Sequence, residues 1–215
     1  MGMLALIGLF ACGPEASPFL HDAAKIGDVE QVRILLESGI EIDSKDGFQR
    51  TALHWAVNRG RRGVVQLLIE KGANVNARDR DAFSPLHLAA QLVYTGMARM
   101  LIDNGAELDA KENSWGKTPL HFVAQYGPDG MARMLIEQGA QVTVRDNLEL
   151  TPLHYAALSG QEGIAKLLIE AGAVVNAKGQ DPFTRDPGTT PLKLATTPAM
   201  KNLLQRAAGP KVKAP

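Results

Sequence analysis

Ten residues, Thr151-Pro152-Leu153-His154-Tyr155-Ala156-Ala157-Leu158-Ser159-Gly160, are written several times over in this chain. Ser84-Pro85-Leu86-His87, Thr118-Pro119-Leu120-His121 and Thr51-Ala52-Leu53-His54 repeat the start of the stretch. Thr190-Pro191-Leu192-Lys193 is a weaker copy. All five histidines fall in this frame: His21, His54, His87, His121 and His154, spaced 33, 33, 34 and 33 residues apart. A fixed period in that range implies stacked supersecondary units, each too small to bury its apolar face alone.

The stretch has the local chemistry of a helix start. Thr or Ser suits the N-cap, where its hydroxyl accepts a bond from a free backbone N–H. Proline suits the first helical position, where its missing donor costs nothing. Gly27, Gly60, Gly127 and Gly160 each follow the histidine by six residues and suit a left-handed residue closing a short helix. A second helix is predicted over Val64–Glu70, Met97–Asp103, Met131–Glu137 and Ile164–Glu170. Each ends at a further glycine, Gly72, Gly105, Gly139 or Gly172.

The third unit breaks the pattern. Val93 stands where its neighbours have glycine, and a β-branched residue is poor in a left-handed conformation. The expectation is a longer first helix and a negative φ at Val93. One extra residue lies in the loop around Asn113-Ser114-Trp115, and the loop over 173–189 is six residues longer than its counterparts. Asp181-Pro182 and Asp186-Pro187-Gly188 give that long loop turn signals rather than strand signals.

The Thr-Pro-Leu-His start, the mid-unit glycine, the stretch Val64–Ala77, and Asp46, Asp79 and Asp146 before each next unit (with Asn113 standing in) resemble the ankyrin repeat family. The resemblance covers residues 18–208. It implies an all-α repeat solenoid of about six helix–turn–helix units with β-hairpin-like loops, the first and last acting as caps. It also implies that the histidines tie helix starts to adjacent loops. The implied function is non-catalytic binding of a protein partner through the concave face made by loop tips and first helices. An inhibitor or immunity-like protein is an alternative within that class.

The aromatic residues sharpen this expectation. Trp55, Phe122 and Tyr155 directly follow a histidine and read as packing between units. Phe48, Phe83, Trp115 and Leu148 are read as loop-tip residues, where polar side chains would be the default. The family's groove positions on the first helix map to Asn58 and Arg59, Gln91 and Leu92, Gln125 and Tyr126, and Leu158 and Ser159. Phe48, Phe83, Trp115 and Tyr126 are the expected apolar anchors, and Arg50, Arg59 and Lys117 the polar rim.

Composition narrows the other classes. The chain is 45% hydrophobic with zero formal net charge, enough for a core and without the basic excess of a nucleic-acid binder. Arg50, Arg59, Arg61 and Arg62 form a local cluster that reads as a solvated edge. Histidines in equivalent places of stacked units are about 10 Å apart, too far to share a zinc ion, whose ligand nitrogens lie about 2 Å away. No Walker-type loop is present, and no cofactor or small-molecule substrate is expected. An enzyme with its site in the 173–189 loop would need a nucleophile–base pair, which that loop does not supply.

The N-terminus carries a separate signal. Met3–Ala11 is a short apolar run followed by Cys12, the only cysteine. Leu9-Phe10-Ala11-Cys12 resembles the lipobox of bacterial lipoproteins. The run is too short to span a bilayer and is about right for a signal peptide, although no Lys or Arg precedes it. Residues 1–17 are thus expected to be a signal and tether, with lipid on Cys12 and a place in the bacterial cell envelope. The alternatives are an apolar strip capping the solenoid, a misplaced start, or a cytoplasmic protein. Residues 209–215 read as a disordered tail.

Overall fold

A computed structural model describes residues 17–209. Cys12 and its apolar run lie outside the described residues, as does most of the tail.

Among the described residues, twelve helices form two layers. The inner layer is α1 (Ser17–Ile26), α3 (Ala52–Asn58), α5 (Pro85–Gln91), α7 (Pro119–Tyr126), α9 (Pro152–Ser159) and α11 (Pro191–Leu194). The outer layer is α2 (Val29–Glu37), α4 (Arg62–Glu70), α6 (Thr95–Asp103), α8 (Asp129–Glu137), α10 (Glu162–Glu170) and α12 (Pro198–Ala207). Each inner helix packs on the next inner helix, so the core is one continuous strip between the layers. Leu53, Leu86, Leu120 and Leu153 of the repeated stretch are buried in it, as are Leu68, Leu101, Leu135 and Leu168 from the outer helices.

The terminal units show what stacking demands. Glu30 opens α2 at a slot that is glycine in the later units. In the second and fifth units the slot faces the preceding unit closely: a Cβ at Gly63 would sit 3.2 Å from Val29 Cγ2, and one at Gly163 would collide with the Asp129 carboxylate, whereas Gly130 has open space. Nothing precedes Glu30 among the described units, so a full side chain fits there. At the other end, α12 buries Met200 and Leu204 against the stack and leaves Lys201 and Gln205 exposed. A polar outer face is what a terminal repeat needs in water.

Left-handed glycines close the outer helices: Gly39, Gly72, Gly105, Gly139 and Gly172 all have positive φ. The inner helices are less uniform. Gly27, Gly60 and Gly160 are left-handed, but Gly127 is extended, with φ −87° and ψ 168°. Pro128 follows it, and proline pushes the residue before it into the extended region.

The expectation for Val93 fails. Its φ is +60° and α5 ends at Gln91. The turn is the one at Gly60: Val93 N–H donates to Ala90 O at 3.3 Å and Tyr94 N–H to Ala89 O at 2.9 Å, matching Gly60 to Val57 and Arg61 to Ala56. The third unit thus keeps the turn of the second, and the β-branched side chain accepts the strain.

The long loop also departs from expectation. It holds the only two strands among the described residues, β1 (Gly179–Gln180) and β2 (Pro187–Thr189), paired antiparallel. The turn signals remain correct for its end, where Asp181 Oδ1 accepts the Phe183 and Thr184 N–H groups at 2.8 Å each. Gly179 is required by close approach, since a Cβ there would lie 2.7 Å from Leu150 Cδ2.

A left-handed β-branched residue costs on the order of 1–2 kcal/mol. Asparagine tolerates that conformation without glycine's extra unfolded-state freedom. Val93→Asn is therefore expected to stabilise the protein by about 1 kcal/mol in urea unfolding, and Val93→Gly by less. A loss of stability in both variants would mean that the Val93 side chain contributes more than its backbone costs.

Candidate functional site

The face made by the inner helices and the loop tips is set by two buried polar devices. The first is the histidine. In His54, His87, His121 and His154, Nδ1 accepts from the backbone N–H of the N-cap residue three positions earlier, at 3.2, 3.1, 3.1 and 3.0 Å. The N-cap hydroxyl lies within 2.9 Å of the same nitrogen. On the far side, Nε2 donates to a carbonyl of the following loop: Phe83, Lys117, Leu150 and Thr189, at 3.1–3.3 Å. A carbonyl only accepts, so Nε2 carries the proton and Nδ1 the lone pair. Both ring nitrogens are engaged, which leaves neither for a metal or a reacting group. His21 makes the loop bond, to Ser44 O at 2.9 Å, but has no N-cap partner at Nδ1.

Burial holds these rings neutral. It pushes His87 down to about 4 and His121 to about 3, and lowers His54 and His154 as well.

The second device is a loop acid five or six residues before the N-cap of α3, α5, α7 and α9, half-buried at Asp46 and buried at Asp79, Glu112 and Asp146. Asp46 Oδ1 accepts Phe48 and Arg50 N–H at 2.8 and 2.9 Å. Asp79 and Asp146 repeat this with the residues two and four further on. In the loop with one extra residue the acid is Glu112, not Asn113. Its longer side chain spans the longer loop and accepts Ser114, Trp115 and Lys117 N–H. The other carboxylate oxygen anchors the tip to an inner-layer side chain where a donor exists: Asp46 to Trp55 Nε1 at 2.8 Å, Asp146 to Tyr155 O–H at 2.6 Å, Asp79 to Arg50 Nε at 3.2 Å. For Asp46, burial raises the carboxyl, but the bonds from Arg50, Trp55 and Phe48 outweigh it and the net shift is downward. Burial and the bond to Asp146 push the Tyr155 hydroxyl up.

Successive tips are also joined by one backbone bond each: Arg80 N–H to Phe48 O, Asn113 to Asp81 O, Asn147 to Trp115 O and Gln180 to Leu148 O, at 2.7–3.0 Å. The tips therefore form a fixed row.

The expected site residues sort into three groups on this frame. Phe48, Trp115 and Tyr126 are exposed, at 57%, 49% and 56%, and Leu92 is exposed beside Val93. Gln91 and Arg59 are exposed, while Asn58, Gln125 and Leu158 are half-buried. Phe83 is not a tip residue. It immediately precedes Ser84, in the slot of Arg50 and Lys117, and packs its ring 5.6 Å from His87 and 5.7 Å from Phe122. Leu148 corrects the sequence reading more sharply: at 6% exposure it belongs to the core with Leu150, and the long loop crosses it through the Gln180 bond. Lys117 is no rim residue either. It is half-buried, 4.1 Å from the Tyr155 ring and 5.6 Å from that of Phe122, and donates to Gln125 Oε1 at 3.2 Å. Burial lowers its ammonium. Arg50 makes the equivalent stack, 5.1 Å from Trp55 and 5.8 Å from Phe48.

A family model described as ankyrin repeats (3 copies) matches residues 20–112 and 106–179. The chain belongs to the ankyrin repeat family, whose repeats are generally protein–protein interaction modules and typically non-catalytic. Two curated proteins of Arabidopsis thaliana, acyl-CoA-binding domain-containing proteins 2 and 1, are each similar to it at 40% identity over 45 residues. That is 21% of this chain, which matches 13% of the length of each relative. Among the described residues no helix is long and apolar enough to cross a membrane, and no cluster of three or more His, Cys, Asp or Glu side chains is placed to hold a metal.

The histidines give stability a sign with pH. Their folded values lie below the ordinary 6.5, so the unfolded chain binds more protons in the interval between. Their contribution is complete above about pH 6.5 and is lost as pH falls toward 4. The urea midpoint is expected to be flat from pH 8 to 7 and to drop steadily from 6.5 to 4. A midpoint unchanged down to pH 4.5 would contradict buried neutral rings.

Proposed function

We propose that the protein is a non-catalytic recognition module that binds a protein partner through the face of inner helices and loop tips. The observation that carries this reading is the placement of Phe48, Trp115, Leu92 and Tyr126 on that one face. Their side chains are exposed, those of Phe48, Trp115 and Tyr126 to about half their surface, while the leucines of the inner helices, Leu53, Leu86, Leu120 and Leu153, are buried. Exposed apolar clusters rimmed by polar groups are characteristic of partner sites. The fixed row of tips adds to it, because a preorganised face loses little freedom on binding.

Trp115 is the proposed main anchor. Its backbone N–H and carbonyl are tied to Glu112 and Asn147, and its ring stands half in water. Truncation keeps both backbone bonds. Trp115→Ala is expected to weaken binding to a recovered partner at least tenfold, as anchor truncations of about 2 kcal/mol do, and to shift unfolding by about 0.5 kcal/mol at most. Unchanged binding with a large loss of stability would make Trp115 a packing residue.

We further propose, from the Leu9-Phe10-Ala11-Cys12 resemblance, lipid attachment at Cys12 and a place in the bacterial cell envelope. Cys12→Ser is then expected to release the protein from the membrane fraction. A wild-type chain recovered with its Met1 terminus intact from a bacterial host would sink this reading.

A further inference from the structure

Phe19 and Ile34 are exposed, at 64% and 50%, in slots that later units cover. Phe19 stands two residues before its histidine, where Ala52, Pro85, Pro119 and Pro152 are buried. Ile34 stands five residues before its closing glycine. In that slot Leu67 and Met134 are buried, and Met100 and Leu167 pack partly buried against the core. The later units each have a unit before them, and among the described residues the first has none. Its polar neighbours at this end are Gln31, in the slot of buried Val64, Met97, Met131 and Ile164, and Glu30, paired with Arg33 at 3.6 Å. The opposite end of the stack is finished differently. There α12 exposes Lys201, Asn202, Gln205 and Arg206 and no large apolar side chain. Four residues, Gly13-Pro14-Glu15-Ala16, separate Cys12 from Ser17 at the start of α1. At no more than about 3.6 Å per residue, five steps keep Ser17 within about 18 Å of Cys12.

We infer that the first unit rests end-on against a lipid bilayer, with Phe19 and Ile34 in the boundary between headgroups and acyl chains and the stack rising from the surface. This rests on the proposed lipid attachment at Cys12. A lipid on Cys12 holds that residue at the bilayer surface, and so short a tether brings the first unit to the same surface. The end that carries Phe19 and Ile34 is the one that gains by meeting it, because apolar side chains buried in that boundary add to the binding of an anchor. Charge does not drive the contact. From Ser17 to Glu37 the chain has four acids, Asp22, Asp28, Glu30 and Glu37, against two cations, Lys25 and Arg33, so it lacks the basic excess that anionic lipid attracts. The placement also orients the recognition face. At about 10 Å per unit, Trp115 in the third loop stands about 30 Å above the bilayer.

The test is quenching of tryptophan emission by brominated lipid. The full chain is expressed with its own N-terminus in a bacterium, and mass spectrometry identifies its first residue and any lipid on Cys12. The membrane-bound form is then reconstituted in phosphatidylcholine vesicles with and without brominated acyl chains. Wild type is compared with Phe19→Trp, Ile34→Trp and Gln205→Trp, each checked for folding by circular dichroism. A face lodged about 5–10 Å into the boundary lies within reach of the bromines, so the emission added by Phe19→Trp and by Ile34→Trp should be quenched at least about twofold more than that added by Gln205→Trp. Replacing part of the phosphatidylcholine by phosphatidylglycerol should leave this quenching unchanged or weaken it. A lipidated chain in which Phe19→Trp and Ile34→Trp are quenched no more than Gln205→Trp would overturn the inference and leave the lipid anchor standing. Quenching that appears only with phosphatidylglycerol would overturn it too, as the mark of a charge-driven contact. So would blue-shifted but unquenched emission from Phe19→Trp in a chain that sediments as a dimer, which would place a second copy at this end. A chain without lipid on Cys12 would overturn this inference together with the anchor on which it rests.

Discussion

The structure depends on one interaction made four times: a buried neutral imidazole that accepts from the start of its own helix and donates to the loop of the next unit. Only this side chain offers an acceptor and a donor on opposite edges of a small rigid ring. One nitrogen satisfies the N-cap amide, which a helix start otherwise leaves without a partner. The other satisfies a loop carbonyl one unit away. Each bond adds about 0.5–1.5 kcal/mol, but losing a ring would strand buried groups on both sides at about 1–3 kcal/mol each. His21 shows the limit of the device. Its Nδ1 has no partner, and three residues before it stands Pro18, where the other four units have Thr or Ser.

The loop acids are the complement of the histidines, and their partners vary together. Where the residue after the histidine carries a donor, Trp55 or Tyr155, the acid of that loop is an aspartate with one oxygen left to meet it. Where that residue is Leu88, the spare oxygen of Asp79 takes Arg50 instead. Where it is Phe122, the loop is one residue longer and Glu112 spends both oxygens on loop N–H groups. Each tip is therefore pinned from within by its backbone, so the Trp115 side chain is not needed to hold its loop, while the Phe48 ring meets only the Arg50 and Arg80 guanidinium groups.

Much of this was legible in the chain. Histidine period, Thr-Pro starts and closing glycines gave the unit, the layers and the family, because each reports a local backbone requirement. The failures have one source: stacking overrides local preference. Val93 is poor in a left-handed turn taken alone, yet it makes the turn of Gly60 with the same two backbone bonds. Leu148 has the register of Phe48 and Trp115, but the longer loop beyond it, whose strands form only when paired, covers it. Asn113 matched the aspartates by residue type, whereas the loop geometry needed the reach of Glu112. The groove cations were legible as charges. Their seats between rings were not, since Lys117 meets Tyr155 only across 38 residues of sequence.

The claim that the stack is held by four neutral, singly protonated rings has a direct test in the ring nitrogens themselves. Nitrogen-15 NMR of the histidines at pH 6, where a free imidazole is largely protonated, reports proton occupancy at each nitrogen. The structure requires His54, His87, His121 and His154 to show a protonated Nε2 and a bare Nδ1, with Nε2–H protected from exchange. Imidazolium signals, or protons on Nδ1, at these four residues in the folded protein would contradict the account.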